Sequence, residues 1–170
     1  MITQNLPQFV TATILDWKML LKPVKFKEII IFSLKFIVNQ QKINVNAFVI
    51  MNNHIHIIWQ IKGSLLQENI QKSFLKFTAE AFKKELNENN TEFLKDFFVN
   101  KADRKYQFWQ RNSLSIELYS KVVFEQKLQY IHQNPVKAGL CNFPEEYYYS
   151  SAKYYETGID DFGFLTHYDY

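Results

Sequence analysis

Between Met51 and Trp59 the chain reads MNNHIHIIW, with two imidazoles, His54 and His56, flanking a single isoleucine. Side chains two apart on a strand point to the same face. The two histidines then stand side by side, their Cβ atoms roughly 6–7 Å apart. At that spacing two ring nitrogens can reach one ion at about 2.1 Å each. Ile55 points the other way and anchors the strand in a core. A two-ligand metal edge built on a strand has this form. Two half-exposed histidines without a ligand fit the same spacing, so the pair alone leaves both readings open.

A second group lies in QYIHQNPVKAGL, Gln129 to Leu140. On a helix, Phe124, Leu128 and Ile131 fall on one apolar side. Tyr130 and Asn134 stand i and i+4 on a different side, with Gln126 and Lys127 one turn back. This places a phenol among amide and amine groups. A tyrosine at a core margin with its hydroxyl in water fits the pattern too. His132 is two residues from Tyr130 on the helix and faces elsewhere, which argues against a ligand role.

These groups need elements to hold them. The 170 residues suit one domain spanning 1–170, and 47% hydrophobic with 17% aromatic content excludes a disordered tail. Net charge is +3, mildly basic and compatible with nucleic acid. Cys141 is the single cysteine, so no internal disulfide forms and a reducing cytoplasm is expected. MITQNLPQFV lacks the basic and apolar regions of a targeting signal. The apolar run Glu28–Val38 is too short to span a bilayer and carries Lys35, so a soluble protein is expected.

Along the chain, Gln8–Trp17 reads as a strand, and Lys25 to about Gln40 as a helix with apolar residues at helical spacing. Phe32 and Phe36 lie off that stripe and suggest a second packing surface, a candidate homodimer contact. Ile43–Met51 and His54–Ile61 read as a hairpin turning at Asn52-Asn53. Ser64–Asn89 reads as a long amphipathic helix with Ser64 as cap, and TEFLKDFFVN as a short helix. Lys105–Gln110 reads as a strand. Ser120–Asn134 reads as a helix capped by Ser120 that ends or kinks before Pro135, with Gly139 stopping the turn that follows. A last short helix is expected at Ser150–Tyr155. The first six elements follow the βαββαβ order of a ferredoxin-like α+β fold. An antiparallel sheet with helices on one face is expected, plus an additional C-terminal helix that carries Tyr130.

MNNHIHIIW, then FWQRN, then YIHQNPVKAGL and YYSSAKYY, in this order and spacing, resemble the REP-associated and insertion-sequence tyrosine transposases, HUH single-strand nucleases with one catalytic tyrosine. The resemblance covers nearly the whole chain and is most specific from Phe108 to Tyr155. It implies that His54 and His56 bind a divalent metal, Mg²⁺ or Mn²⁺. It makes Tyr130 the nucleophile and Asn134 the ligand that completes the metal site from the tyrosine helix. Many relatives carry proline where this chain has Asn52. The implied reaction is cleavage and rejoining of single-stranded DNA through a 5′-phosphotyrosyl intermediate, as in transposition or REP-type hairpin processing. A phenol has a pKa near 10, so only about one in a thousand is ionised at pH 7, and the nucleophile needs help.

Trp109, Arg111, Lys127 and Lys137 are expected to contact single-stranded DNA that forms hairpins, because interleaved aromatics and cations suit it. Trp109 fits a core position equally well. Arg104 and Arg111 are the only arginines, so lysines must supply most phosphate contacts. The alternative function is a host-domesticated relative that binds DNA hairpins without cutting. A two-histidine phosphoesterase needs a second His-x-Ser/Thr element, which the sequence lacks.

Overall fold

The structure is a computed structural model that describes residues 5–170. The first four residues of the stretch read for a targeting signal lie outside it. The chain runs β1 (Gln8–Thr13), α1 (Val24–Asn39), β2 (Ile43–Ile50), β3 (His54–Ile61), α2 (Gln67–Asn89), α3 (Thr91–Lys95), β4 (Phe98–Lys101), β5 (Arg104–Tyr106), β6 (Leu114–Glu117), α4 (Lys121–Lys137) and α5 (Ala152–Thr157). An antiparallel sheet of order β2-β3-β1-β6 forms the centre. This is the strand order of a ferredoxin-like fold.

The sheet has two covered faces. Val10, Ala12, Ile55, Ile57 and Trp59 point toward α1 and α2, where Phe26, Ile30, Phe74 and Phe82 complete the larger core. Phe9, Ala47, Val49 and Ile58 point the other way and meet Phe124 and Ile131 of α4. Strict alternation cannot put Val45 and Ala47 on opposite faces. The register shift between them at Asn46 does so, as a bulge in β2. The helix that carries Tyr130 therefore lies on the face opposite the first two helices.

Several sequence expectations need correction. The fourth strand of the sheet is Leu114–Glu117, not Lys105–Gln110. Arg104–Tyr106 instead pairs with Phe98–Lys101 in a separate hairpin, and Phe108 and Trp109 drop into the core. TEFLKDFFVN is consequently helical only over Thr91–Lys95. Helix α2 starts at Gln67, after Leu66, and Ser64 does not cap it. Helix α4 does not end before Pro135 but continues to Lys137. Proline sits there in the last turn, its ring buried, and the terminal carbonyls accept from Ala138, Gly139 and Leu140 N–H groups. Gly139 then stops the helix at φ 72°. The Ser120 cap is observed, accepting from Val123 N–H.

Phe32 and Phe36 are exposed, and Phe36 borders, with Phe77, a groove between α1 and α2. No helix among the described residues is long and apolar enough to cross a membrane.

Candidate active site

Strand β3 carries His54 and His56, and their ring centres lie 5.0 Å apart. Helix α4 crosses the same face. It brings the Asn134 Oδ1 to 3.2 Å from His54 Nε2 and the Tyr130 ring to 5.2 Å from His56. The four residues singled out from two distant stretches thus converge. Tyr130 is 44% exposed, so its phenol is open to a substrate. His56 is buried, stacked on Phe9 at 5.4 Å with 16° between the rings.

Each histidine is oriented from behind. His54 Nδ1 shares a hydrogen bond with Asn53 Oδ1 at 2.8 Å, and His56 Nδ1 shares one with Thr11 Oγ1 at 2.8 Å. Thr11 lies directly across from His56 in the β1–β3 ladder. When both Nδ1–H groups donate outward, both Nε2 lone pairs point into the site. Burial, with help from neighbouring His54 and Lys127, pushes the His56 pKa down to about 3. Burial also lowers His54, partly offset by its contact with Asn134. Neutral imidazoles are the form that binds metal.

The donor set fits a divalent cation. With His54 Nδ1–H given to Asn53, two acceptors, His54 Nε2 and Asn134 Oδ1, face each other across 3.2 Å. Two donors about 2.1 Å from one ion stand about 3.0–3.4 Å apart. Two imidazoles and an amide oxygen suit Mn²⁺, or Mg²⁺ with waters. Among the described residues no cluster of three His, Cys, Asp or Glu side chains exists, so the third donor of this set is the Asn134 amide oxygen.

Charge near the tyrosine comes from Lys127. Its Nζ lies 4.9 Å from the Phe9 ring centre and 5.7 Å from that of Tyr130. Lys137 is exposed at the end of α4. Arg111 is exposed and pairs with Asp103 at 3.3 Å. Trp109 corrects the expectation that it stacks on DNA. It is 7% exposed, its indole N–H donates to Thr78 Oγ1 at 3.0 Å, and Phe82 packs against it at 5.7 Å. No ring face is left for a base.

Sequence reasoning missed a different tryptophan. Trp17 is 59% exposed, with its ring 6.0 Å from that of His54. Asp16 and Trp17 both adopt left-handed backbone, φ 54° and 56°. That conformation is unfavourable for a bulky side chain. Asn53 Nδ2 holds the turn by donating to Trp17 O at 3.3 Å. Local sequence offered no signal for this display.

Buried Lys27 holds the turn before His54. Its Nζ donates to Leu21 O (2.6 Å), Lys22 O (3.1 Å) and Asn52 Oδ1 (3.1 Å). Asn52 is thereby tied into the scaffold. Of the consecutive tyrosines, Tyr147 donates to Ile50 O and Tyr149 to Glu28, while Tyr148 is exposed.

Among solved structures, the chain resembles a REP-associated tyrosine transposase bound to a REP hairpin. The TM-score is 0.69 and identity 14%, over 100% of this chain and 92% of that one. It also resembles a Deinococcus radiodurans R1 protein provisionally assigned as a transposase. There the TM-score is 0.51 and identity 13%, over 74% of this chain and 88% of that one. No protein-family profile and no curated protein matches the sequence. The chain has the fold of these transposases, and at this identity the likeness extends to the fold alone.

Proposed function

We propose that the protein is a metal-dependent single-stranded DNA endonuclease and strand transferase of the tyrosine transposase type. The observation that carries this is the convergence of His54, His56 and Asn134 with an exposed Tyr130 on one face of the sheet. The likeness in fold to a REP-associated tyrosine transposase supports it.

The Tyr130 hydroxyl oxygen attacks a backbone phosphorus, and the phosphorus–O3′ bond breaks. The phenolic proton leaves to solvent, and the departing 3′ oxygen takes one up. The products are a 5′-phosphotyrosyl linkage and a free 3′-hydroxyl, and attack by another 3′-hydroxyl reverses the step. His54, His56 and Asn134 would hold the divalent metal, Mg²⁺ or Mn²⁺, which when bound offsets negative charge on the phosphate. Lys127 adds positive charge beside the tyrosine, and Lys137 and Arg111 add more along the DNA. Exposed Trp17 supplies the stacking face beside the histidines that Trp109 does not.

The decisive experiment uses labelled DNA hairpins with single-stranded flanks, with Mn²⁺ or with chelator. A metal-dependent, denaturation-resistant protein–DNA band that disappears in Tyr130→Phe is the expected result. Tight hairpin binding without any band would favour the non-cutting, domesticated alternative. A homodimer through Phe32, Phe36 and Phe77 is the assembly their exposure favours; a monomer mass at tens of micromolar would reject it.

A further inference from the structure

Lys27 stands at the start of α1, 5% exposed, with no carboxylate partner among the described residues. A buried ammonium is costly unless its three N–H groups are all paired. Here they go to Leu21 O, Lys22 O and Asn52 Oδ1, and the centre of the Tyr149 ring lies 5.6 Å from the Nζ. An apolar side chain of similar volume would fill this space without the cost of burying a charge. What the charge adds is direction, because its three bonds tie two separate segments together.

Those segments are the walls beside His54. One is the loop of residues 15–23, in which Asp16 and Trp17 are left-handed. Such backbone persists only where its surroundings over-determine it. The other is the Asn52-Asn53 turn. Leu21 N donates to Asn52 O at 2.9 Å and Ile14 N to Asn53 O at 2.8 Å, so loop and turn lie side by side. Lys27 bonds both at once, through two carbonyls of the loop and the Asn52 side chain of the turn.

The Asn53 side chain spans the junction. Its Nδ2 donates to Trp17 O at 3.3 Å, which leaves Oδ1 turned to His54 Nδ1 at 2.8 Å. The loop carbonyl sets the amide, and the amide sets the ring. An amide oxygen only accepts, so the hydrogen sits on Nδ1 and Nε2 keeps its lone pair. In the other tautomer, Nε2–H would donate to Asn134 Oδ1 across 3.2 Å and close the site on itself. Displacing Trp17 O frees the Asn53 amide to turn over. An amide nitrogen facing Nδ1 then favours that second tautomer.

Resting on the metal-dependent function proposed above, we propose that Lys27 is a positioning residue. By clamping the loop of residues 15–23 to the Asn52-Asn53 turn, it holds His54 in the tautomer that receives a metal.

The test has a metal-free arm and a metal arm. Nitrogen NMR of the metal-free full chain, with isotope-labelled histidine at neutral pH, reads which ring nitrogen of His54 carries hydrogen, and His54→Gln assigns its signals. Calorimetry measures Mn²⁺ binding without DNA. Lys27→Met should move His54 from Nδ1–H toward Nε2–H and weaken Mn²⁺ binding about tenfold or more. Asn52→Ala leaves the two loop bonds in place and should give a smaller change of the same kind. Added to Lys27→Met it should change little, because the two residues act as one unit. Thr78→Val deprives the buried Trp109 N–H of its partner under α2 and controls for lost stability alone. It should leave both readouts unchanged. Tautomer and affinity untouched in Lys27→Met, or moved as much by Thr78→Val, would overturn the clamp and leave the metal site standing. Should Lys27→Met not fold, an unshifted tautomer in Asn52→Ala would overturn it. Independent losses from Lys27→Met and Asn52→Ala would overturn the route through the turn. Wild type binding no Mn²⁺ would overturn the metal-dependent function, while the metal-free arm still decides whether Lys27 sets the tautomer.

Discussion

His132 Nε2 and Ser151 Oγ lie 2.8 Å apart and join the tyrosine helix to the opening of α5. The Phe48 backbone N–H donates to the same Ser151 oxygen at 3.0 Å, so helix, C-terminal segment and strand β2 meet at one hydroxyl. The His132 ring also lies 5.3 Å from that of Tyr155, whose hydroxyl donates to Asn46 O. His132 sits between Tyr130 and Asn134 in sequence but faces the opposite way. It thereby sets the rotation of α4 that turns those two toward the histidine pair.

Burial pushes the His132 pKa down to about 4. In the unfolded chain it returns to about 6.5. The unfolded state therefore binds the extra proton first. Stability is full above about pH 6.5 and falls as pH drops toward 4, by about 3 kcal/mol from this group at most. Urea unfolding from pH 7 to pH 4 should show this decline, to which buried His56 also contributes, and His132→Gln should make it shallower without removing it. An equal slope in wild type and variant would refute the assignment. Ser151→Ala leaves His132 and the Phe48 N–H without their partner, and should cost about 1–3 kcal/mol at pH 7.

Trp17→Ala should weaken binding of unpaired DNA by about 1–3 kcal/mol, the range for losing one stacked base. The indole is exposed and outside both cores, so the melting temperature should barely move. Titration of a labelled single strand measures the loss. Undiminished affinity would mean that the left-handed turn displays Trp17 for some other purpose.

Tyr130→Phe removes one hydroxyl from an exposed ring and should abolish the covalent adduct while hairpin affinity stays within about twofold. Asn134→Ala removes a donor atom and should weaken Mn²⁺ binding by an order of magnitude or more, as read by calorimetry without DNA. A persisting adduct in the first variant would identify a different nucleophile. Unchanged Mn²⁺ affinity in the second would remove Asn134 from the ligand set.

Much of this architecture was legible from periodicity. The βαββ order, the long second helix and the capped tyrosine helix all follow from the spacing of apolar residues. The fourth strand was not. LSIE is short and mostly exposed at the sheet edge, while KYQFWQ has the aromatic content of a strand. Its Phe108 and Trp109 instead fill the core under α2, and one isolated bridge, Ile14 to Trp109, replaces a ladder. In the site, the His pair and the Tyr130–Asn134 spacing are local and could be read directly. Trp17 and Thr11 could not. One depends on a left-handed turn and the other on cross-strand register, and neither leaves a mark along the chain.

Thr11 shows how much that register matters. Its hydroxyl meets His56 Nδ1 at 2.8 Å and is the one side-chain hydrogen bond to that ring among the described residues. Thr11→Val keeps the shape of the side chain and its strand preference but deletes the partner. The ring stays in place, since Phe9 stacks on it and burial surrounds it. What changes is the tautomer: without an outward acceptor, nothing favours Nδ1–H over Nε2–H. An imidazole carrying hydrogen on Nε2 presents no lone pair to the site. Orienting partners of this kind are worth about 10–100-fold in metal affinity. Thr11→Val should therefore weaken Mn²⁺ binding by about that factor and slow adduct formation at limiting metal, with recovery at saturating metal. Thr11→Ser, which restores the hydroxyl, should regain most of the affinity. If Thr11→Val bound Mn²⁺ like wild type, the His56 tautomer would be set by something other than its neighbour on β1.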